Sequence, residues 1–359
     1  MTIKSTFRGL TLVCVLVTNT LFAQDAAKTE APKEVPLSIA GHVDAYYRYS
    51  SNGVAGKTSY SDAGKGFGFG MANLQLSKDA GKISFMADVM FGPRAEGTNY
   101  YYTNATDNSS SLALIKQLYI SYKPTDKLKF TLGNFMTFIG YELVEATNNL
   151  NYSMSYNYTN GPFYHTGLKL DYQFTDKFAG MIGVFNRTDT KLDNGSKFFG
   201  GQLSYVDGPF KIYGNILAGK EIDSAQVTTF DITTSYQATP KLGLGFNLIN
   251  KSVTPKGGTA ESWLGTALYL NYAFTDKFTL AARGEYLEDP KGRLVTIDDK
   301  KVIDNTIMAF TLSGNFKVDA LTIIPEIRFD SSKKAIFATD AGKTEKGETA
   351  FILAAVYKF

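Results

Sequence analysis

His165-Thr-Gly-Leu-Lys-Leu-Asp-Tyr-Gln-Phe174 runs directly into Thr175-Asp176. Thr166, Leu168, Leu170, Tyr172 and Phe174 fall on one parity, and His165, Lys169, Asp171 and Gln173 on the other. Side chains of a strand alternate between its two faces, so this segment separates an oily surface from a wet one before a tight polar turn. The same alternation recurs along the chain. Ile39, Gly41, Val43, Ala45, Tyr47 and Tyr49 oppose Ala40, His42, Asp44, Tyr46 and Arg48. Ile83, Phe85, Ala87, Val89 and Phe91 oppose Ser84, Met86, Asp88 and Met90, while Leu321, Ile323, Ile327 and Phe329 oppose Glu326, Arg328 and Asp330. The 22 Tyr, 26 Phe and 33 Gly suit such strands.

A soluble sandwich also alternates, so the connections decide between the two. Short polar links lie at Lys78–Gly81, Pro124–Asp126, Thr175-Asp176, Asp207–Pro209, Ala238–Pro240, Thr275-Asp276 and Val318-Asp319, rich in the residues of tight turns. Phe174-Thr-Asp-Lys-Phe178 and Phe274-Thr-Asp-Lys-Phe278 are one pentapeptide used twice. Between the seven turns lie longer polar stretches, near 51–66, 92–112, 137–162, 188–197, 220–226, 252–262, 289–304 and 331–348. Strict alternation of short and long connections predicts an all-β chain, a transmembrane up-and-down antiparallel β-barrel of about sixteen strands over residues 37–359. The turns then face the periplasm and the loops the exterior.

The ends agree with this placement. Residues 1–23 carry Lys4 and Arg8, then the apolar run Leu10–Val17, then Ala23, as a secretory signal peptide does. The single cysteine, Cys14, is expected to leave with it, which removes disulfides and thiol chemistry from the mature chain. Removing Lys4 and Arg8 from the 37 basic residues leaves 35 against 34 acidic ones, a net charge of +1 that implies no nucleic-acid partner. Residues 24–36 read as a periplasmic linker. With about a dozen residues before the first strand, no plug or energy-coupling segment of an active transporter is expected. The last strand ends in Tyr357-Lys-Phe359, whose aromatics share one face and resemble the signal that outer-membrane barrels present to their assembly machinery.

The chemistry inside is read by parity. Lumen-facing candidates are His42, Asp44, Arg48, Asp88, His165, Asp171, Arg283, Glu285, Glu326 and Arg328, both signs mixed and expected to be solvated and paired across strands in a water-filled channel. Two histidines on different strands do not make a metal site, and neither a catalytic elbow nor a nucleotide loop appears, so neither cofactor nor enzymatic activity is expected. Gly66-Phe-Gly-Phe-Gly70 precedes no helix, and its glycines are expected to ease strand curvature. Pro325, placed mid-strand, predicts a local bulge or bend.

The longest loop, the third, carries apolar residues unsuited to an exposed position: Phe138, Ile139, Tyr141, Leu143 and Val144. It is expected to fold back into the channel, with Tyr141, Glu142 and Glu145 at the constriction and Lys169, Arg187 and Lys211 as basic groups across the gap. The competing expectation is a surface cap whose aromatics cluster among themselves. Ile139-Gly-Tyr-Glu142, Asn148-Asn149, Tyr152-Ser-Met-Ser-Tyr156 and Pro162-Phe-Tyr-His-Thr-Gly167 resemble the OmpL-like "putative β-barrel porin-2" family of Bacteroidetes. The resemblance implies a porin-like barrel and no particular substrate. The expected function is passive diffusion of small hydrophilic solutes and ions through the bacterial outer membrane, with lipid around the barrel and homo-oligomers allowed. The alternatives are a solute-selective channel or structural barrel partner in an envelope complex, marked by conductance saturating with one solute, and an outer-membrane barrel enzyme, marked by turnover sensitive to His165→Ala.

Overall fold

The computed structural model describes residues 35–99, 110–192 and 195–359. The leader and most of the linker expected from the sequence lie outside them. Sixteen antiparallel strands close into a barrel in which neighbours in the chain are neighbours in space. The first, Ser38–Ser50, pairs with Lys65–Ala80 on one side and with the last, Gly347–Lys358, on the other. Closure leaves no long sheet edge unpaired, the condition for putting strands into hydrocarbon. No helix among the described residues is long and apolar enough to cross a membrane.

Burial separates this barrel from a soluble sandwich. In the first strand His42 and Arg48 are 3% exposed and Asp44 6%, while Ile39 is 60% and Tyr49 50% exposed. The sequence alternates as predicted, but the buried parity is the polar one and the oily parity covers the outside. Phe85, Leu132, Ile182, Leu203, Leu268 and Phe310 continue the outer surface around the barrel. A sandwich would reverse this assignment.

The seven tight turns and eight long loops fall where the composition puts them. Both copies of the repeated pentapeptide adopt one geometry. Thr175 Oγ1 accepts from the amide of Phe178 at 3.1 Å and Thr275 Oγ1 from that of Phe278 at 3.0 Å. Phe174 stacks on Phe178 at 5.3 Å and Phe274 on Phe278 at 5.6 Å, so each tip carries an aromatic pair.

Two local expectations take a specific form. Pro325 shifts no register: it pairs with Leu353 in continuous register, while on the other side Ser313↔Glu326 and Phe316↔Ile323 keep one register and the pairing between them lapses. The proline removes a donor, and the local disturbance is a gap in the ladder. Gly68 and Gly70 make room for lumen side chains, and the register against the first strand shifts beside Gly70, between Val43 and Ala45. A Cβ on Gly68 would sit 2.6 Å from the Tyr46 ring, and one on Gly70 would sit 1.7 Å from the Asp44 carboxylate.

Candidate functional site

Residues 137–163 leave the fifth strand, Leu128–Met136, and return to the sixth, Tyr164–Gln173, having crossed the inside of the barrel. The path is fixed by what each segment touches. Thr137 bonds His165 at 2.9 Å, and Phe138 packs on the rings of His165 and Phe185 at 4.9 and 5.7 Å. Tyr141 stacks on Tyr269 of the twelfth strand, Glu261–Thr275, at 4.2 Å. Its hydroxyl lies where a side chain on Gly245 would be, since a Cβ there would come within 2.4 Å.

Beyond Tyr141 the loop is held by charge. Arg283 donates to Glu142 at 2.6 Å, to Glu285 at 2.8 Å and to the carbonyl of Ser153 at 2.6 Å. Glu326 accepts the amides of Tyr152 and Ser153 at 2.6 and 3.0 Å, Glu285 that of Tyr156 at 2.7 Å, and Glu142 that of Ser155 at 2.7 Å. Arg328 donates to the carbonyl of Met154 at 3.2 Å and pairs with Glu285 and Asp330 at 2.9 and 2.8 Å. Wall carboxylates thus take loop amides and wall guanidiniums take loop carbonyls, which satisfies an irregular backbone out of contact with water.

The tyrosines complete the attachment. Tyr152 donates to Asp44 at 2.6 Å and Tyr156 to Asp330 at 2.9 Å. Burial holds both phenols well above their ordinary value, so they remain donors. Tyr158 bonds Tyr60 of the first loop at 2.9 Å, and burial pushes Tyr60 up to about 12.

The lumen charges beside the third loop are therefore paired, as expected, but covered rather than solvated, whereas Asp171 nearer the periplasmic turns stays open with a side chain 33% exposed. Asp88, Arg283 and Glu326 are each 1% exposed or less. A charge placed there needs a partner, and the third loop supplies partners that water would otherwise replace.

Of the residues expected at the constriction, Glu142 meets Arg283 and Glu145 meets Lys116, which also pairs with Asp88 at 2.6 Å. The three basic groups assigned from sequence have other neighbours. Lys169 pairs with Asp171 on its own strand at 3.0 Å, Arg187 pairs with Glu221 at 3.5 Å, and Lys211 is exposed. Arg48 pairs with Glu348 at 2.5 Å, across the seam between first and last strands. His42 and His165 are buried with separate surroundings: His42 Nε2 lies 3.9 Å from Asp44, and His165 sits between Phe138 and Phe185. Among the described residues no group of three or more His, Cys, Asp or Glu is placed to hold a metal ion. Outside, Tyr357 and Phe359 are 44% and 54% exposed on the lipid side of the last strand.

Sequence reasoning missed Arg94 and Lys116. Arg94 lies in a short helix, Pro93–Thr98, of the second loop and is 1% exposed. It donates to the carbonyls of Val144 and Tyr152 at 3.2 and 3.1 Å and lies over the rings of Tyr60 and Tyr152. Burial alone would lower its affinity for the proton, but the Asp44 carboxylate, 3.6 Å away, opposes that and keeps it charged. Nothing in the sequence marks this arginine. Lys116 escapes a parity count because the register shifts at Asp88/Val89.

Comparison with known proteins places this geometry. Residues 36–359 match the family described as "Putative beta-barrel porin-2, OmpL-like". No curated protein sequence is significantly similar. Among solved structures, the anion-selective porin from Comamonas acidovorans superposes with a TM-score of 0.61 at 13% identity, over 91% of this chain and 100% of that one. OmpT of Vibrio cholerae, an outer-membrane protein, gives 0.59 at 13% over 92% and 99%. The outer-membrane channel DcaP of Acinetobacter baumannii gives 0.57 at 11% over 91% and 98%. These identities carry the fold alone, a closed sixteen-strand barrel. The family match spans the whole barrel, loop included, and the chain belongs to the OmpL-like β-barrel porin-2 family, an outer-membrane channel for the passive diffusion of solutes.

Proposed function

We propose that the third loop is the constriction of this channel, and that passage depends on how far the loop fills the lumen. The observation that carries the reading is the set of bonds from Arg283, Glu285, Glu326 and Arg328 to the loop backbone. Glu142 and Glu145 belong to that attachment, each neutralised by a wall cation. A lumen this occupied also favours a solute-selective channel over a wide sieve. Conductance that saturates with one solute would mark the selective form.

No step of catalysis is assigned to this chain: the buried charges are joined in ion pairs and hydrogen bonds that position the loop. The leader is read as an export signal and the terminal aromatics as the assembly signal. Homo-oligomers are part of the proposal, since a neighbouring fold, the Vibrio cholerae OmpT, is described in a trimer form. Native mass spectrometry of the detergent-extracted protein gives the copy number.

The function is tested in planar bilayers. The parent is expected to give small, ohmic steps, and deletion of residues 142–156 to enlarge them at least severalfold, because it removes Tyr152, Ser153 and Tyr156 and returns the wall charges to water. Equal steps from both proteins would show that the loop does not limit passage.

A further inference from the structure

Lumen charges sort by level. Beside the third loop they are joined in close pairs, while toward the periplasmic turns one sign prevails. Lys123, Lys129, Lys169 and Lys211 lie on the lumen parity of four strands, Ile115–Thr125, Leu128–Met136, Tyr164–Gln173 and Phe210–Lys220. The outward parity of those strands is Tyr122, Leu132, Leu168 and Ile216, all exposed to lipid.

A cavity of about 270 Å³ opens at this mouth, lined by Lys123, Asp126, Lys129, Asp171, Gln202 and Ser204 among others, with Lys169 and Lys211 outside its lining. Its acids are outnumbered, although Asp171 is the cross-strand partner of Lys129. Asp171 is already held by Lys169 at 3.0 Å, and Asp126, which lies 3.9 Å from Lys123, is fully exposed in a turn. Among the described residues no carboxylate lies within 4.0 Å of Lys129 or Lys211. Ammonium groups on a concave wall backed by low-dielectric protein and lipid reinforce one another's field, which attracts an anion and repels a cation. Their flexible, hydrated heads hold such an ion weakly, as a conducting site requires.

We propose that this periplasmic vestibule is an anion site and that the preferred solutes are small oxyanions and carboxylates, with Lys129 and Lys211 setting the preference. This rests on the channel reading for its effect on transport, whereas the binding of an anion does not.

Two measurements on the full-length refolded protein separate the claims. In a potassium chloride gradient the reversal potential should report chloride preference. The double variant Lys129→Gln, Lys211→Gln should lower the chloride-to-potassium permeability ratio by about twofold or more. Lys241→Gln, in an exposed turn, should leave it unchanged. A cation-preferring parent, or an equal ratio in parent and double variant, overturns the assignment. Independently, inorganic phosphate titrated against protein with ¹³C-methylated lysines should shift the Lys129 and Lys211 resonances. A flat titration overturns the site, and shifts without any conductance would uphold it while defeating the channel reading.

Discussion

Arg283 is a wall residue on which several attachments of the loop converge. It is fully buried and joins Glu142 of the loop, Glu285 of the wall and the carbonyl of Ser153. A buried pair contributes little net stability, but removing one member leaves the other charged without compensation, at about 3–5 kcal/mol. Arg283→Met should therefore lower the thermal midpoint of the folded barrel, followed by heat-modifiable mobility, and raise open-channel noise as the loop loosens. An unchanged midpoint would show that Glu142 and Glu285 find other partners. Parity found Arg283, Glu285, Glu326 and Arg328 because strand alternation is a property of neighbouring residues. Arg94 was invisible because its place depends on how a loop packs.

Lys191 makes a second residue-scale case. It is buried in the fourth loop with its ammonium 4.2 Å from the Tyr164 ring centre, and burial lowers it to about 7. Its folded value is below the unfolded one, so its contribution to stability is present above the ordinary lysine range and is lost as pH falls toward 7. Nearby Asp189 shifts the opposite way, raised by burial to about 6, and stays ionised throughout that window. The parent's unfolding midpoint should fall as pH is lowered through this range, and that of Lys191→Met should fall less. Parallel pH profiles would exclude Lys191 as the cause.

At the scale of elements, the second strand shows how a short motif was legible in type and not in purpose. Gly66-Phe-Gly-Phe-Gly70 marks a strand that places Phe67 and Phe69 outward, 89% and 76% exposed, and nothing bulky inward. The reason for the missing bulk lies on the neighbouring strand. Asp44 occupies the space over Gly70 while accepting from Tyr152 and from the amide of Met71. Cross-strand packing of this kind is set by register, which alternation leaves open. Gly70→Leu should displace Asp44 and with it Tyr152, costing about 1–3 kcal/mol by overpacking and a lost buried hydrogen bond. Gly214→Leu, whose outward Cβ would have nothing within 4 Å, should be close to neutral. Chemical unfolding of the two variants side by side checks the contrast. The third loop repeats the lesson, since its apolar composition predicted burial while its bonds to Arg283 and Lys116 followed from the barrel's closure.

For the whole molecule, closure is the step on which everything else depends, and it is made by the two ends of the barrel. The first strand pairs with the last from His42↔Lys358 to Ser50↔Ala350, and beyond that ladder Gly41 and Phe359 exchange both backbone bonds, at 3.1 and 3.0 Å. The Phe359 ring crosses the place where a Cβ of Gly41 would sit, 2.6 Å away. Phe359 thus bonds the seam through its backbone while presenting its ring outward, with Tyr357 beside it at 6.5 Å. Deleting Phe359 removes the final backbone pair and the exposed ring together. The heat-modifiable barrel in outer-membrane fractions should fall, with synthesis unchanged. Phe359→Ala keeps the backbone pair and removes only the ring, so the two variants divide the cause. Equal losses would assign the effect to recognition of the aromatic by the assembly machinery, and a loss confined to the deletion would assign it to closure of the seam. Normal assembly of both would remove the terminal residue from either role.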